Sequence, residues 1–384
     1  MENLFKKTKI FIDKVNRKIE NNERQYLIIS DFGESSVTGE SGFINPLFRI
    51  FTPVKPENGR KLNPIYGDDF NLYKDTLMDY PTIVQYKLGK VGVTSWKDYN
   101  RLISVHIALC PINCWHCYLE ECLKADCSIC SVSDYCDKSR QNPSNGLKIK
   151  SGWYSAIQIL DEFIEQRKSD KSEKNNTNIL RISGGEPFLV PYLFLEILKE
   201  LKNRKLDNEI FVWGETNLLP LAIKGRENFF IPDDILDELS TYSNFCVHPC
   251  FHGINANNFS ENTGEKIENF EFLFIAFKRL IDAGIDVYPT IGSNVSDPDS
   301  IKYFFEEISK IDPLLPLRFY LIEFDLNYEP IKWRRKYVEG YEKIHSWVYD
   351  RFQVIDKWNE LLYENTGYHY GDIPRHLVPI KKKK

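Results

Sequence analysis

The sequence predicts an α/β fold with a parallel sheet at its core, from two observations. From residue 103 onward, apolar runs of strand length alternate with amphipathic stretches of 10 to 16 residues, the pattern of repeated βαβ units. The two most distinctive short motifs both follow predicted strands, where the chemistry of parallel sheets gathers. They are three cysteines after the first strand and a Gly-Gly-Glu-Pro turn after the second. Six such units suit a partial (β/α)6 barrel or an open sheet.

Taken in order, residues 1–25 read as a short Lys-rich amphipathic helix, with Leu4, Phe5, Ile10, Phe11 and Val15 at helical spacing. Short β-like runs follow at 26–30 and 48–54, and 82–94 reads as a hairpin turning on Gly. Residues 1–100 are therefore expected to be an N-terminal, mostly β extension. The core is expected over 101–330, with strands at 103–109, 179–183, 209–214, 245–251, 285–291 and 317–324. Helices are expected at 152–167, 191–204, 232–241, 268–283 and 298–311. A Cys-rich insert interrupts the core at about 120–140. The remainder, 331–384, reads as an aromatic-rich helical region (333–364, with Trp333, Tyr337, Tyr341, Trp347, Phe352 and Trp358) and a basic tail.

At 384 residues, 42% of them hydrophobic and 14% aromatic, the chain has enough apolar surface for a full core and is not of disordered composition. A net charge of −5 argues against nucleic acid as a partner. No stretch approaches the ~18 apolar residues of a membrane span. The first residues lack a signal-peptide core, so the expected location is the cytoplasm. There thiols stay reduced, and nine cysteines are not a disulfide framework. Seven of them fall between 110 and 136, which argues for metal.

Cys110, Cys114 and Cys117 are spaced Cys-x3-Cys-x2-Cys. Three thiolates and no fourth can hold three irons of a cubic four-iron cluster and leave one iron open. A structural zinc site or plain thiols are the alternatives. Gly184, Gly185, Glu186 and Pro187 form the second motif. Its glycines allow a sharp turn and close approach to a polar ligand. Pro187 fixes the exit toward the next helix, and Glu186 adds a carboxylate acceptor.

Together the two motifs resemble those of the radical S-adenosylmethionine (SAM) superfamily, over residues 103 to 325. The resemblance implies a partial (β/α)6 radical SAM barrel in which Cys110, Cys114 and Cys117 bind a [4Fe-4S] cluster. SAM would chelate the open iron through its amino and carboxylate groups. An electron from a donor such as a ferredoxin or flavodoxin would cleave it to a 5′-deoxyadenosyl radical, which abstracts hydrogen from the substrate. Gly184, Gly185, Glu186 and Pro187 would line the methionyl group. His116 stands where the family carries an aromatic residue beside the adenine, with Trp115 and Tyr118 close by. Trp213-Gly-Glu-Thr-Asn resembles a segment of the glycyl-radical activases, the pyruvate formate-lyase-activating branch, that touches SAM. Thr216 and Asn217 match it, Glu215 takes an Asp position and Leu218 a Gly position. His252 replaces that branch's usual Lys near the SAM carboxylate. Ser293, Asn294, Glu323 and Asp325, at the last two strand ends, would face SAM or the substrate.

Cys246, His248, Cys250 and His252 alternate, so a strand would put all four on one face, either as a second metal site or as a polar barrel interior. Cys122, Cys127, Cys130 and Cys136 can close around an auxiliary iron–sulfur cluster or a zinc ion, or remain thiols. The activity expected is that of an activase-like radical SAM oxidoreductase, with a protein as a plausible target. The alternatives are a radical SAM modifier of a peptide, RNA or small metabolite, and a non-catalytic zinc-binding regulatory module.

Overall fold

The computed structural model describes residues 2–19, 23–28, 87–88, 101–117, 152–169, 177–225, 228–292, 299–322, 354, 356–370 and 372–380. Outside these lie the β-like run at 48–54, all of the 82–94 hairpin but two residues, and most of 333–364. Tyr118, Cys122, Cys127, Cys130, Cys136, Ser293, Asn294, Glu323 and Asp325 lie outside as well.

The chain opens with helix α1 (Glu2–Val15), which buries Leu4, Phe11 and Val15 at the expected spacing. Strands β1 (Asn16–Lys18) and β2 (Arg24–Ile28) follow as an antiparallel pair. β2 then runs antiparallel to the end of β3 (Arg101–Ile107) and to β4 (Gly152–Tyr154). Arg24 and Tyr26 both reach Glu196, at 2.9 and 2.8 Å. The N-terminal segment thus meets the C-terminal end of β3, where Ile28 pairs with Ile107 and Leu27 O accepts from Ala108 N–H at 3.1 Å.

From β3 the predicted alternation appears as α2 (Ala156–Ser169), β5 (Thr177–Gly184), α3 (Pro191–Asn203), β6 (Phe211–Thr216), the short α4 (Leu219–Ala222) and α5 (Asp233–Leu239). It continues with β7 (Phe245–Phe251), α6 (Ala256–Thr263), α7 (Glu271–Asp282), β8 (Thr290–Gly292), α8 (Ser300–Ile311) and β9 (Tyr320–Ile322). Strands β3, β5, β6, β7, β8 and β9 pair in parallel, in that order. The core is a mixed α/β arrangement on a parallel sheet.

The last two strands begin later than the sequence suggested, and prolines explain it. Val287 bridges Val247, but Pro289 has no N–H for the ladder, and continuous pairing with β7 is confined to Thr290 and Ile291. Likewise Pro316 sits in a 3₁₀ turn, Leu315–Arg318, that delays β9.

Sequential neighbours joined by right-handed crossovers carry their helices on one face. On that face Val105, Leu180, Ile182, Val212 and Val247 share one buried core with Phe163, Leu193, Ile197, Phe277 and Phe304 of the helices. In α8, Ile301, Phe304, Phe305 and Ile308 supply the helical stripe. Strand alternation sends the other residues to the opposite face. There Ile179, Phe211, Trp213, Cys246 and Tyr288 form a separate apolar layer, and Arg181, Glu215 and His248 are the next inward-facing residues along β5, β6 and β7. A helical segment at 356–366 buries Trp358 against Phe304, Phe305 and Phe319. Among the described residues, no helix is long and apolar enough to cross a membrane.

Candidate active site

The three-cysteine loop leaves β3 at Ile107. Leu109 takes a positive φ of 65°, which is uncommon outside glycine, and turns the chain so that Cys110 follows at the sheet's C-terminal rim. Cys114 is buried, while Cys110 and Cys117 are partly exposed. Cys117 N–H closes a turn onto Cys114 O at 3.2 Å.

Two neighbours clamp this loop. The first is the Gly-Gly-Glu-Pro turn. Gly185 N–H donates to Ile107 O and Glu186 N–H to Leu109 O, both at 2.8 Å. A Cβ on Gly185 would lie 1.9 Å from Leu109 O, and one on Gly184, whose φ is +96°, would lie 2.7 Å from the His106 backbone. Both glycines are required for the turn to lie against the cysteine loop.

The second clamp is the C-terminal end of α6, where the last carbonyls of a helix lack partners within it. Thr263 O accepts from Asn113 N–H at 3.1 Å, and Asn262 O accepts from Trp115 N–H at 3.2 Å. Asn262 Oδ1 also accepts from Trp115 Nε1 at 3.0 Å, and its Nδ2 donates to His252 O at 2.8 Å. The helix stops there because Gly264 adopts the left-handed cap, φ 68°.

Glu186 is buried and joins β5 to the end of β6. Oε1 accepts from Phe188 N–H at 2.9 Å and Thr216 Oγ1 at 2.8 Å, and Oε2 accepts from Asn217 N–H at 2.7 Å. Burial pushes its carboxyl up to about 7, and these three donors offset only part of that. Its resolved contacts are to the protein's own strand ends. Asn217 carries the connection onward, since its Nδ2 donates to Cys110 Sγ at 3.4 Å. Leu218, at the position where the activases have Gly, holds a positive φ of 72° and is fully buried. The backbone conformation that favours glycine is kept, and the added side chain packs into the core.

Below the rim, one ion pair occupies the inner face. Arg181 meets Glu215 Oε1 through Nε at 2.7 Å and through its second terminal nitrogen at 2.5 Å. Ser183 Oγ donates to Glu215 Oε2 at 2.5 Å, and His248 Nδ1 lies 3.7 Å from Oε1. Burial opposes ionisation of Glu215, but the Arg181 charge, with His248 and Ser183, outweighs it and holds the carboxyl well below the usual range. Burial lowers His248, and burial with the Arg181 charge lowers His106 to about 4, so both imidazoles are neutral near pH 7. In the sequence Glu215 stands only at an Asp position of the segment that resembles a SAM-touching one. Arg181 and Ser183 belong to no motif, and nothing along the chain links them to Glu215.

The alternation of Cys246, His248, Cys250 and His252 resolves into two parts. Cys246 and His248 point into the inner face. Burial pushes the Cys246 thiol up, and also Cys250, to about 12, so both are protonated near pH 7. His252 lies just past β7, and its Nδ1 meets His116 Nε2 at 3.0 Å. Among the described residues these four side chains do not form a metal-ligand group. The structure thus brings together Cys110, Cys114, Cys117, His116, Gly184, Gly185, Glu186, Pro187, Thr216, Asn217 and His252 at one rim.

The donor set suits an iron–sulfur cluster. Three thiols share one loop, and a side-chain amide stands ready to donate to the first sulfur, a contact of the kind that tunes such clusters. Residues 100–236, a little over a third of the chain, match the protein family described as a 4Fe-4S single cluster domain. No curated protein matches the chain. Among solved structures, the chain is similar to Streptococcus suis SuiB bound to precursor peptide SuiA, at 15% identity and a TM-score of 0.37, covering 78% of this chain and 57% of SuiB. SuiB bound to S-adenosylmethionine is similar at 13% identity and a TM-score of 0.34, with 85% and 70% covered.

Proposed function

We propose that this chain is a radical SAM enzyme in which Cys110, Cys114 and Cys117 hold a [4Fe-4S] cluster with one iron open to SAM. One observation carries the reading. Three segments distant in sequence converge at the C-terminal ends of neighbouring parallel strands and hydrogen-bond to one another through Gly185, Glu186 and Asn217. When bound, the cluster and SAM supply one-electron cleavage of the sulfonium and hydrogen abstraction from a substrate.

The chain's own residues do the positioning. Gly185 and Glu186 fix the loop's backbone, Glu186 orients Thr216 and Asn217, and Asn217 directs an N–H at Cys110. The inner face beneath holds its charges in ion pairs, Arg181 with Glu215 and Asp286 with Arg318 and Lys87, a floor suited to shielding reactive chemistry from water. The finer reading is an activase-like enzyme acting on a protein. It rests on Thr216 and Asn217, which match that branch's segment at the end of β6, with Glu215 in its Asp position.

The test is anaerobic purification followed by dithionite reduction with SAM. Brown protein with about four irons per chain, or about eight if the Cys-rich insert holds a second cubic cluster, is expected, together with release of 5′-deoxyadenosine. Colourless protein with stoichiometric zinc and no SAM cleavage would overturn the proposal.

A further inference from the structure

The group of Cys114, His116 and His252 has a chemistry of its own. One ligand atom from each lies within 4.8 Å of the others, and among the described residues Cys110 and Cys117 are not part of the group. Cys114 and His116 are buried, and the two imidazole rings face each other with centroids 5.1 Å apart. Ligands around a tetrahedral zinc ion stand roughly 3.3–3.7 Å apart, given metal–ligand lengths of about 2.0–2.3 Å. The two ring nitrogens, 3.0 Å apart, already lie near that spacing.

The backbone around the group is held in place. Here Asn262 grips the His252 carbonyl and the Trp115 indole at once, tying both sides of the group to the end of one helix.

We propose that, before a cluster fills the loop, Cys114, His116 and His252 bind one zinc ion, with water as the fourth ligand. The ion takes the Cys114 thiolate, whose proton leaves to solvent, and one lone pair from each neutral imidazole. The hydrogen now shared between the rings moves to the far nitrogen of its own ring. Because Cys114 is common to both, zinc and the cluster exclude each other. The exclusion rests on the cluster reading above, whereas the zinc site itself does not.

The test uses full-length, cluster-free protein carrying Cys122→Ser, Cys127→Ser, Cys130→Ser and Cys136→Ser, so that the insert cannot bind metal. Cobalt titration should give one site with a thiolate-to-cobalt absorption band, which zinc displaces. His252→Ala and His116→Ala should each weaken binding by at least about tenfold, the lower bound for disturbing even a ligand's supporting contacts. Cys110→Ser and Cys117→Ser should leave it within about threefold, since neither sulfur is a ligand in this site. Circular dichroism establishes that each variant is folded.

Equal weakening by the Cys110, Cys114 and Cys117 variants, with none from the histidines, would mean a three-thiol site and overturn the proposal. So would tight cobalt binding without a thiolate band. In a second arm, equimolar zinc should slow iron–sulfur reconstitution of the parent. It should not slow reconstitution of His252→Ala relative to that variant's own zinc-free control. Equal slowing of both would overturn the exclusion. A protein that binds cobalt as described but never assembles a cluster would leave the zinc site standing and remove the proposed function.

Discussion

Glu186, conspicuous in sequence, ties two strand ends together in the structure. Its carboxylate meets three donors from its own and the neighbouring strand end. Replacing it with Gln turns one acceptor into an N–H pair facing the Asn217 or Phe188 N–H. A buried donor without an acceptor costs about 1–3 kcal/mol, so Glu186→Gln should lower unfolding free energy by that amount in urea denaturation. A purely ligand-facing Glu186 would leave stability unchanged. The pH dependence carries a definite sign. A carboxyl raised from 4.5 to about 7 on folding holds its proton longer in the native state. This group's contribution therefore falls as pH climbs from about 4.5 to 7 and is flat above. Comparing wild type with Glu186→Gln across that range should reveal the falling limb in the wild type alone. At Leu218 two effects oppose each other in Leu218→Gly. Relief of the positive φ is worth about 1 kcal/mol, against about 2–5 kcal/mol for emptying a fully buried leucine site. The cavity wins, and the variant should be net destabilised in the same assay.

At the scale of elements, the site is a contact between turns. The loop after β3, the turn after β5 and the end of α6 are held by backbone hydrogen bonds, so backbone shape matters more there than side-chain chemistry. Gly185→Ala would drive a methyl group to 1.9 Å from Leu109 O. Neither backbone can give way cheaply, and a cost of about 3 kcal/mol or more is expected, at the upper end for overpacking. Thermal unfolding should report that loss, and iron content after reconstitution should fall with it. Unchanged stability and iron would mean that the turn does not hold the loop. Much of this was legible in advance: the strands and helices of the core fall close to their predicted positions, because period-2 and period-3.6 patterns mark buried faces directly. Two things were not legible. The glycines read as room for a sharp turn and a ligand, but nothing in the motif told that their Cβ positions would meet the strand and loop of the cysteines. The late starts of β8 and β9 required weighing Pro289 and Pro316 against their apolar neighbours.

Over the whole molecule, a sheet with helices on one face still needs its other face filled. Among the described residues that face carries an apolar layer around Trp213 and Tyr288, with Leu88 packed against it, and the Arg181–Glu215 pair beside the layer. Removing one partner of a buried pair costs about 3–5 kcal/mol, because the other charge stays behind. Glu215→Gln should therefore destabilise strongly. Since Glu215 is held below its usual value, its contribution is fully present above about pH 4.5 and is lost as pH falls further. Denaturation at descending pH should show an acid limb in the wild type that is shallower in Glu215→Gln. This network was invisible from sequence because its members come from three strands, and spacing along the chain says nothing of how they meet. The N-terminal segment was equally opaque, since only its pairing with β3 shows that it supports the strand from which the cysteine loop departs.

The central claim is that the loop of Cys110, Cys114 and Cys117, and not the insert that follows it, is where SAM is cleaved. The most direct measurement compares 5′-deoxyadenosine formation by dithionite-reduced Cys114→Ala and Cys127→Ala under anaerobic conditions. The account predicts no product from Cys114→Ala, while Cys127→Ala still cleaves SAM after losing about half the iron if the insert holds a second cubic cluster. Cleavage that survives in Cys114→Ala would contradict it.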